Sequence, residues 1–184
     1  MAQITFRWTG DGIARLEAAM NKLEGPRKMA ALRRALNHTG DKVFTRVKRE
    51  LQTQIGAPQS VIVRYGKVRK VRASNAAMQY LIIAKGGPIP LKHFGARQGA
   101  TGVSAAPWHN RKLYKSAFVV GSLGGHAFWR KGKERLPIER IAGPNVPKEM
   151  VKDQVAAAFQ AVTASSLPAR VEHEVRVLTN GVVS

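Results

Sequence analysis

The chain has no cysteine, which excludes disulfides and thiolate metal sites. Acidic residues are missing over a long stretch as well. Between Leu51 and Lys133 there is no Asp or Glu, while Arg and Lys recur throughout. Metal-dependent nucleases and polymerases need clustered carboxylates to hold divalent cations, and glycosidases need a carboxylate pair. The middle of the chain offers neither. No apolar run approaches the ~18 residues that span a bilayer, and the opening MAQITFRWTG lacks the apolar core of a signal peptide. The expectation is a protein made and used in the cytoplasm, or in something assembled there, with no membrane partner.

The usual catalytic signatures are also missing. The five histidines, His38, His93, His109, His126 and His173, have no metal-ligand spacing on one helix and form no HExxH. Ser104 in GVSAA is not a nucleophile elbow, because the closing glycine is absent. KGGP (85–88) lacks the spacing and the Lys-Ser/Thr ending of a P-loop. Glu134 and Glu139 read as partners for Arg130, Arg135 or Arg140. No enzyme, no cofactor and no catalytic or metal site is expected.

Positive charge is present in excess. The 184 residues carry 31 Lys and Arg against 11 Asp and Glu, a formal net charge of +20. Such a surface repels itself unless something anionic or a partner subunit lies near it. With 44% hydrophobic residues in periodic runs, the composition is that of a folded domain, and the length suits one.

QITFRW (3–8) alternates Ile4, Phe6 and Trp8 with polar residues, a strand pattern. Asp11 can cap a helix with Ile13, Leu16, Met20 and Leu23 on one side. From Pro26, Met29, Leu32, Leu36, Val43, Val47 and Leu51 recur at helical spacing, with Thr39 and Gly40 filling the gap. Arg33, Arg34, Lys42, Arg46 and Arg49 lie opposite. This helix is predicted to run to about Ile55, where GAP (56–58) stops it. Strands follow at 61–72, 78–84, 102–108, 112–121 and 126–131. The Gly- and Pro-rich segment 85–102 reads as a long loop or arm. After Asn145, a cap, a second amphipathic helix carries Val151, Val155, Phe159 and Val162. SSLP (165–168) interrupts it, and a short helix with Val171, Val175 and Leu178 follows, closed by NG (180–181). The expected class is α+β: a long N-terminal helix and a C-terminal helix packed on a mostly antiparallel sheet. The chain reads as one domain, with an extension at 1–25, a core at 26–165 and a helical tail at 166–184.

Two segments carry candidate sites. RYGKVRKVR holds Arg64, Lys67, Arg69, Lys70 and Arg72. As a strand or hairpin it presents either a ribbon for a phosphate backbone or a charged edge that resists sheet-to-sheet aggregation. Nothing in it reads bases, so any contact is with the backbone. The second segment, HAFWRKGKERLPIERIAGPNVPKEMV (126–151), sets aromatics beside dense charge and a proline-stiffened path. Such a mixture suits an interface core with a polar rim, and the prolines limit the entropy lost on docking. Alternatively Phe128 and Trp129 fill the domain's own core; adjacent strand residues face opposite sides, so that holds for one of them.

APWHNRKLYKSAFVVG and HAFWRKGKERLPIERIAGPNVPKEM, within 106–150, resemble the phage minor tail protein Z family, the tail completion proteins of lambda-like phages. The matching positions are Phe118, Phe128, Trp129, Arg130, Leu136, Pro137, Ile138, Gly143, Pro144 and Pro147, and the helix at 29–58 fits the family's start. The resemblance covers about 28–155. It implies a structural protein of the virion neck, at the head-proximal end of the tail and near the tail terminator. There it makes the tail competent for joining to a DNA-filled head. It also implies a ring around the DNA, six copies, contacts with tail tube and head–tail connector, and a flexible rather than contractile tail. On that reading Trp108, Phe128, Trp129, Arg130, Leu136, Pro137 and Ile138 are candidates for the subunit interface. Arg64, Lys67, Arg69, Lys70 and Arg72 are candidates for facing double-stranded DNA. The competing expectation is a cytoplasmic protein that binds nucleic acid without sequence preference; a phage nuclease is disfavoured by the acid-free middle.

Overall fold

The long helix expected from the apolar spacing is present. In the computed structural model, which describes residues 2–4 and 25–178, helix α1 covers Gly25–Ile55. Val43, Val47, Leu51 and Ile55 are buried along one side. Nearer its start the buried positions are Ala31 and Ala35, and Met29 is exposed. The helix ends where expected: Gly56 takes a positive φ of 78°, and its N–H donates to the Gln52 carbonyl at 2.9 Å. The helix expected from Asp11, most of the strand at 3–8 and the turn at 180–181 lie outside the described residues.

The chain divides into two compact units. Among the described residues, one holds 2, 48–68 and 84–152; the other holds 3–4, 25–47, 69–83 and 153–178. The class is α+β, but the strands form several small sheets rather than one.

The first unit is rich in strands. A short helix, α2 (Gln59–Gly66), follows α1. This corrects the strand expected from 61: Val61, Ile62 and Val63 are β-branched, yet Pro58 leads directly into a helical turn whose Ile62 is buried. Burial outweighs the few tenths of a kcal/mol by which such residues disfavour helix. Strands β4 (Pro88–Pro90) and β11 (Ala142–Asn145) pair antiparallel. Strands β5 (Arg97–Gly99), β6 (Gly102–Ala105) and β7 (Lys112–Lys115) form a second sheet in that order. Strands β8 (Phe118–Val120), β9 (His126–Arg130) and β10 (Ile138–Arg140) form a third, with β9 central. The single strand expected over 112–121 is thus two, separated at Ser116, where φ is 59°.

The segment 85–102 is not an arm. It contains β4, β5 and a 3-10 turn at Leu91–Phe94. Ile89 and Leu91 are fully buried, and Phe94 nearly so. Backbone hydrogen bonds hold its start: Gly86 donates to the Gly66 carbonyl at 2.8 Å and Gly87 to the Tyr65 carbonyl at 3.0 Å. A Cβ on Gly86 would run into the Tyr65–Gly66 backbone. Helix α3 (Val146–Met150) closes this unit, with Asn145 Oδ1 accepting from the Lys148 N–H at 3.2 Å, the cap foreseen.

The second unit is mainly helical. Strands β2 (Val68–Val71) and β3 (Leu81–Ala84) join β1 (Ala2–Ile4) in a sheet of order β1-β3-β2. Helix α4 (Asp153–Leu178) runs unbroken through Pro168, so the expected interruption at 165–168 does not occur. Leu167, Val171 and Val175 pack with Ala35, flanked by Leu32, Leu36 and Leu178. That packing offsets the ~3 kcal/mol a mid-helix proline costs.

Candidate nucleic-acid and subunit interfaces

The five cations expected on one strand fall on different elements. Arg64 is in the last turn of α2, where a cation suits the helix dipole. Its guanidinium lies 6.0 Å from the Tyr65 ring centroid. Tyr65 in turn meets His93, with ring centroids 5.0 Å apart and a 3.1 Å hydrogen bond between His93 Nε2 and the phenol oxygen. Burial, reinforced by Lys92, His126 and Arg64, lowers the His93 pKa and favours its neutral form. Lys67 terminates the helix in the left-handed conformation, its N–H donating to the Val63 carbonyl.

Arg69, Lys70 and Arg72 belong to the helical unit. Lys70 and Arg72 both pair with Asp41 of α1, one to each carboxylate oxygen. The Tyr80 hydroxyl donates to the same carboxylate at 2.9 Å. Burial opposes the ionised form of Asp41, but the hydrogen bonds from Lys70, Arg72 and Tyr80 win and hold its pKa at about 2. Burial first, and then the Asp41 carboxylate, pushes the Tyr80 phenol up. Lys70 also lies 5.6 Å from the Phe44 ring centroid. Two of the five candidate DNA contacts are therefore engaged by a carboxylate; Arg69, exposed on β2, has no carboxylate partner among the described residues. Asp41 lies 29 residues before Lys70, and no local pattern links them.

A matching arrangement holds α4. Glu174 is buried and accepts from Arg34 at 2.6 Å and from Arg170 one turn earlier. Burial works against its charge, but the two guanidiniums keep its pKa below the usual carboxylate range.

The candidate interface residues converge on the hairpin of β9 and β10. Arg130 pairs with Ile138, Trp129 with Glu139 and Phe128 with Arg140. Phe128 is buried, its ring 6.4 Å from that of Phe118, so it belongs to the unit's own core and leaves the candidate interface. Trp129 is 44% exposed and Leu136 is 66% exposed. Arg130 reaches over the Phe118 ring at 5.0 Å. The loop 131–137 is closed by the Lys131 N–H donating to the Pro137 carbonyl at 3.2 Å, and the Leu136–Pro137 peptide is cis. Pro137 is exposed and Ile138 half-buried. Glu139 pairs with Lys131 at 3.5 Å rather than with an arginine.

Trp108 stands apart from the hairpin residues in sequence. It is 40% exposed and, with His109, adopts a positive φ of 54° and 57°. That conformation costs of order 1 kcal/mol or more per non-glycine residue, and local bonds hold it. His109 Nε2 lies 2.9 Å from the Thr53 carbonyl. The buried Glu149 accepts from Gln54 and Lys152, each at 2.6 Å, and Trp108 lies near enough to favour its charge. Burial opposes the Glu149 charge; Lys152 and Gln54, and then Trp108, bring its pKa down. Sequence reasoning missed Glu149, because its partners Gln54 and Trp108 are remote in the chain.

Charge is unequal between the units. The strand-rich unit holds seventeen Lys and Arg against four Glu, a net +13; the described part of the helical unit holds eleven against four, a net +7. Among the described residues no three His, Asp or Glu side chains gather as a metal site, and no helix is long and apolar enough to cross a membrane. Compared with family models, curated proteins and solved structures, the chain matches none.

Proposed function

We propose that this chain is a structural tail completion protein of a phage, a ring component at the head-proximal end of the tail that surrounds the DNA path. The observation that supports this reading best is the β9–β10 hairpin. It exposes Trp129 and Leu136 beside the basic turn residues Lys131, Lys133 and Arg135, on a unit of net charge +13. An apolar anchor ringed by charge is what a subunit contact needs, and the cationic unit suits a neighbour that is a polyanion. On this reading the chain performs no catalysis. Its partners are copies of itself, in a ring of six, with the tail terminator, the tail tube, the head–tail connector and the DNA backbone.

The test is negative-stain imaging of the purified protein with tail tubes. Annular particles or capped tube ends are expected. The double variant Trp129→Ala/Leu136→Asp should keep its circular dichroism spectrum and melting temperature while losing the capped ends. Compact monomers that coat DNA at physiological salt and ignore tube ends would replace this reading with that of a nonspecific nucleic-acid-binding protein.

A further inference from the structure

The register of the β5-β6-β7 sheet sorts its side chains onto two faces. Arg97 pairs with Ser104 and Gly99 with Gly102 on one side; Ser104 pairs with Leu113 and Gly102 with Lys115 on the other. Arg97, Gly99, Gly102, Ser104, Leu113 and Lys115 therefore share one face. The opposite face carries Val103 and Ala105, both fully buried, and Gln98, whose Oε1 accepts from the Val119 N–H at 2.8 Å. The first face is the outer one: Arg97, Leu113 and Lys115 are exposed. Arg111, also exposed, reaches onto it and donates to Ser104 Oγ at 3.2 Å and to the Gly95 carbonyl at 3.5 Å.

Here the acid-free stretch acquires a surface. No carboxylate of the described residues pairs with Arg97, Arg111 or Lys115. The contrast with Lys70 and Arg72, tied to Asp41, is direct. Adjacent strands lie ~4.8 Å apart and each residue rises ~3.4 Å, so Arg97 on β5 and Lys115 on β7, two strands across and two residues along, have backbones roughly 12 Å apart. Gly99, Gly102 and Ser104 keep the middle of the face low, and Leu113, half exposed, flanks it on β7. Three cations spread this way can meet several phosphates at once, and no side chain on the face is placed to read a base.

We infer that the outer face of the β5-β6-β7 sheet, through Arg97, Arg111 and Lys115, is the surface that docks the phosphate backbone of double-stranded DNA. The inference rests on the reading of the chain as a component built around DNA, and it moves the contact away from 64–72. Each phosphate contact contributes roughly 0.9 to the slope of log affinity against log salt.

The experiment is fluorescence anisotropy of a short random-sequence duplex titrated with the full chain at several NaCl concentrations. Arg97→Gln/Arg111→Gln/Lys115→Gln should weaken binding and flatten that slope by about two to three. Arg97→Lys/Arg111→Lys should retain the slope, which separates lost charge from lost folding. Lys70→Gln/Arg72→Gln should leave it unchanged. A triple variant with wild-type slope, or a Lys70→Gln/Arg72→Gln variant that flattens it instead, overturns the inference. So does a wild-type chain that prefers polyglutamate or anionic vesicles to the duplex. Capping of tail tubes by the triple variant is scored in parallel: loss of DNA slope with caps retained supports this surface assignment, whereas absent caps with wild-type protein defeat only the tail reading.

Discussion

The two units handle positive charge in opposite ways. In the helical unit, cations are gathered in pairs on carboxylates: Lys70 and Arg72 on Asp41, Arg34 and Arg170 on Glu174. These clusters tie α1 to the end of β2 and to α4. In the strand-rich unit four Glu face seventeen Lys and Arg, and the buried one, Glu149, is committed to Gln54, Lys152 and Trp108. Four of the eleven described cations of the helical unit serve its own cohesion in this way, while the strand-rich unit carries the larger surplus of cations over carboxylates. A cation held by a carboxylate is a poor phosphate ligand, since the pair must be broken first. Basic residues adjacent in sequence are therefore not equivalent, and the larger surplus available to a partner is that of the strand-rich unit.

Removing core side chains is the most forceful way to probe the two units. Leu51→Ala in the first and Leu167→Ala in the second, both at buried positions, should each cost about 2–4 kcal/mol. Urea melts followed by hydrogen exchange will show whether each loss is confined to its own unit; uniform loss of protection in both would erase the division. Glu174→Ala should cost about 2 kcal/mol, below the ~3–5 of a fully buried pair because the stranded Arg34 is half exposed. An equal loss from Glu139→Ala, whose partner Lys131 is exposed, would break the contrast between internal and surface charge.

Gly40→Ala should destabilise by about 1–2 kcal/mol, although alanine is the better helix former by ~1 kcal/mol. Its Cβ would collide with the Tyr80 ring and push the phenol away from Asp41. Tyr80→Ala in the same background should relieve the clash, a coupling that a double-mutant cycle of melts can measure.

Acid should act on the Asp41 cluster with a defined sign. Its folded pKa, about 2, lies below that of an unfolded aspartate, so its contribution is complete above pH ~4 and fades as pH falls toward 2. Carboxyl NMR titration should find Asp41 ionised at pH 3, and Asp41→Asn should remove this part of the acid sensitivity. The smallest effect is expected from salt. Raising NaCl screens like-charge repulsion and should increase hydrogen-exchange protection in the strand-rich unit by a few tenths of a kcal/mol, and by less in the helical unit, whose net charge is smaller.

Much of the helical architecture was legible because its signals are local. The apolar spacing that ends at Ile55, Gly56 as a terminator and Asn145 as a cap each act within a turn or two of chain. The order of strands from 102 to 131 was legible for the same reason. One misread element has a local cause, the turn at Ser116 that divides 112–121 into β7 and β8; the others depend on burial by residues far away. Val61–Val63 became helix with Ile62 inside, 85–102 folded because Ile89, Leu91 and Phe94 are core, and α4 passed through Pro168 because Leu167 and Val171 pack against Ala35. The candidate sites divided likewise. That Trp129 and Phe128 would part company followed from strand geometry, but which one faced outward did not.

By itself, the amino-acid order determined that this is a strongly cationic α+β protein with 83 consecutive residues, 51–133, free of acid. Composition is additive and helical period is local, so neither needs a fold to be read. Only the tertiary structure decided which cations are neutralised. An ion pair between Asp41 and Lys70 forms when helix and strand meet, and strand register alone sets Arg97 and Lys115 on one open face. Those are long-range contacts, and their energy appears only once the chain has closed them.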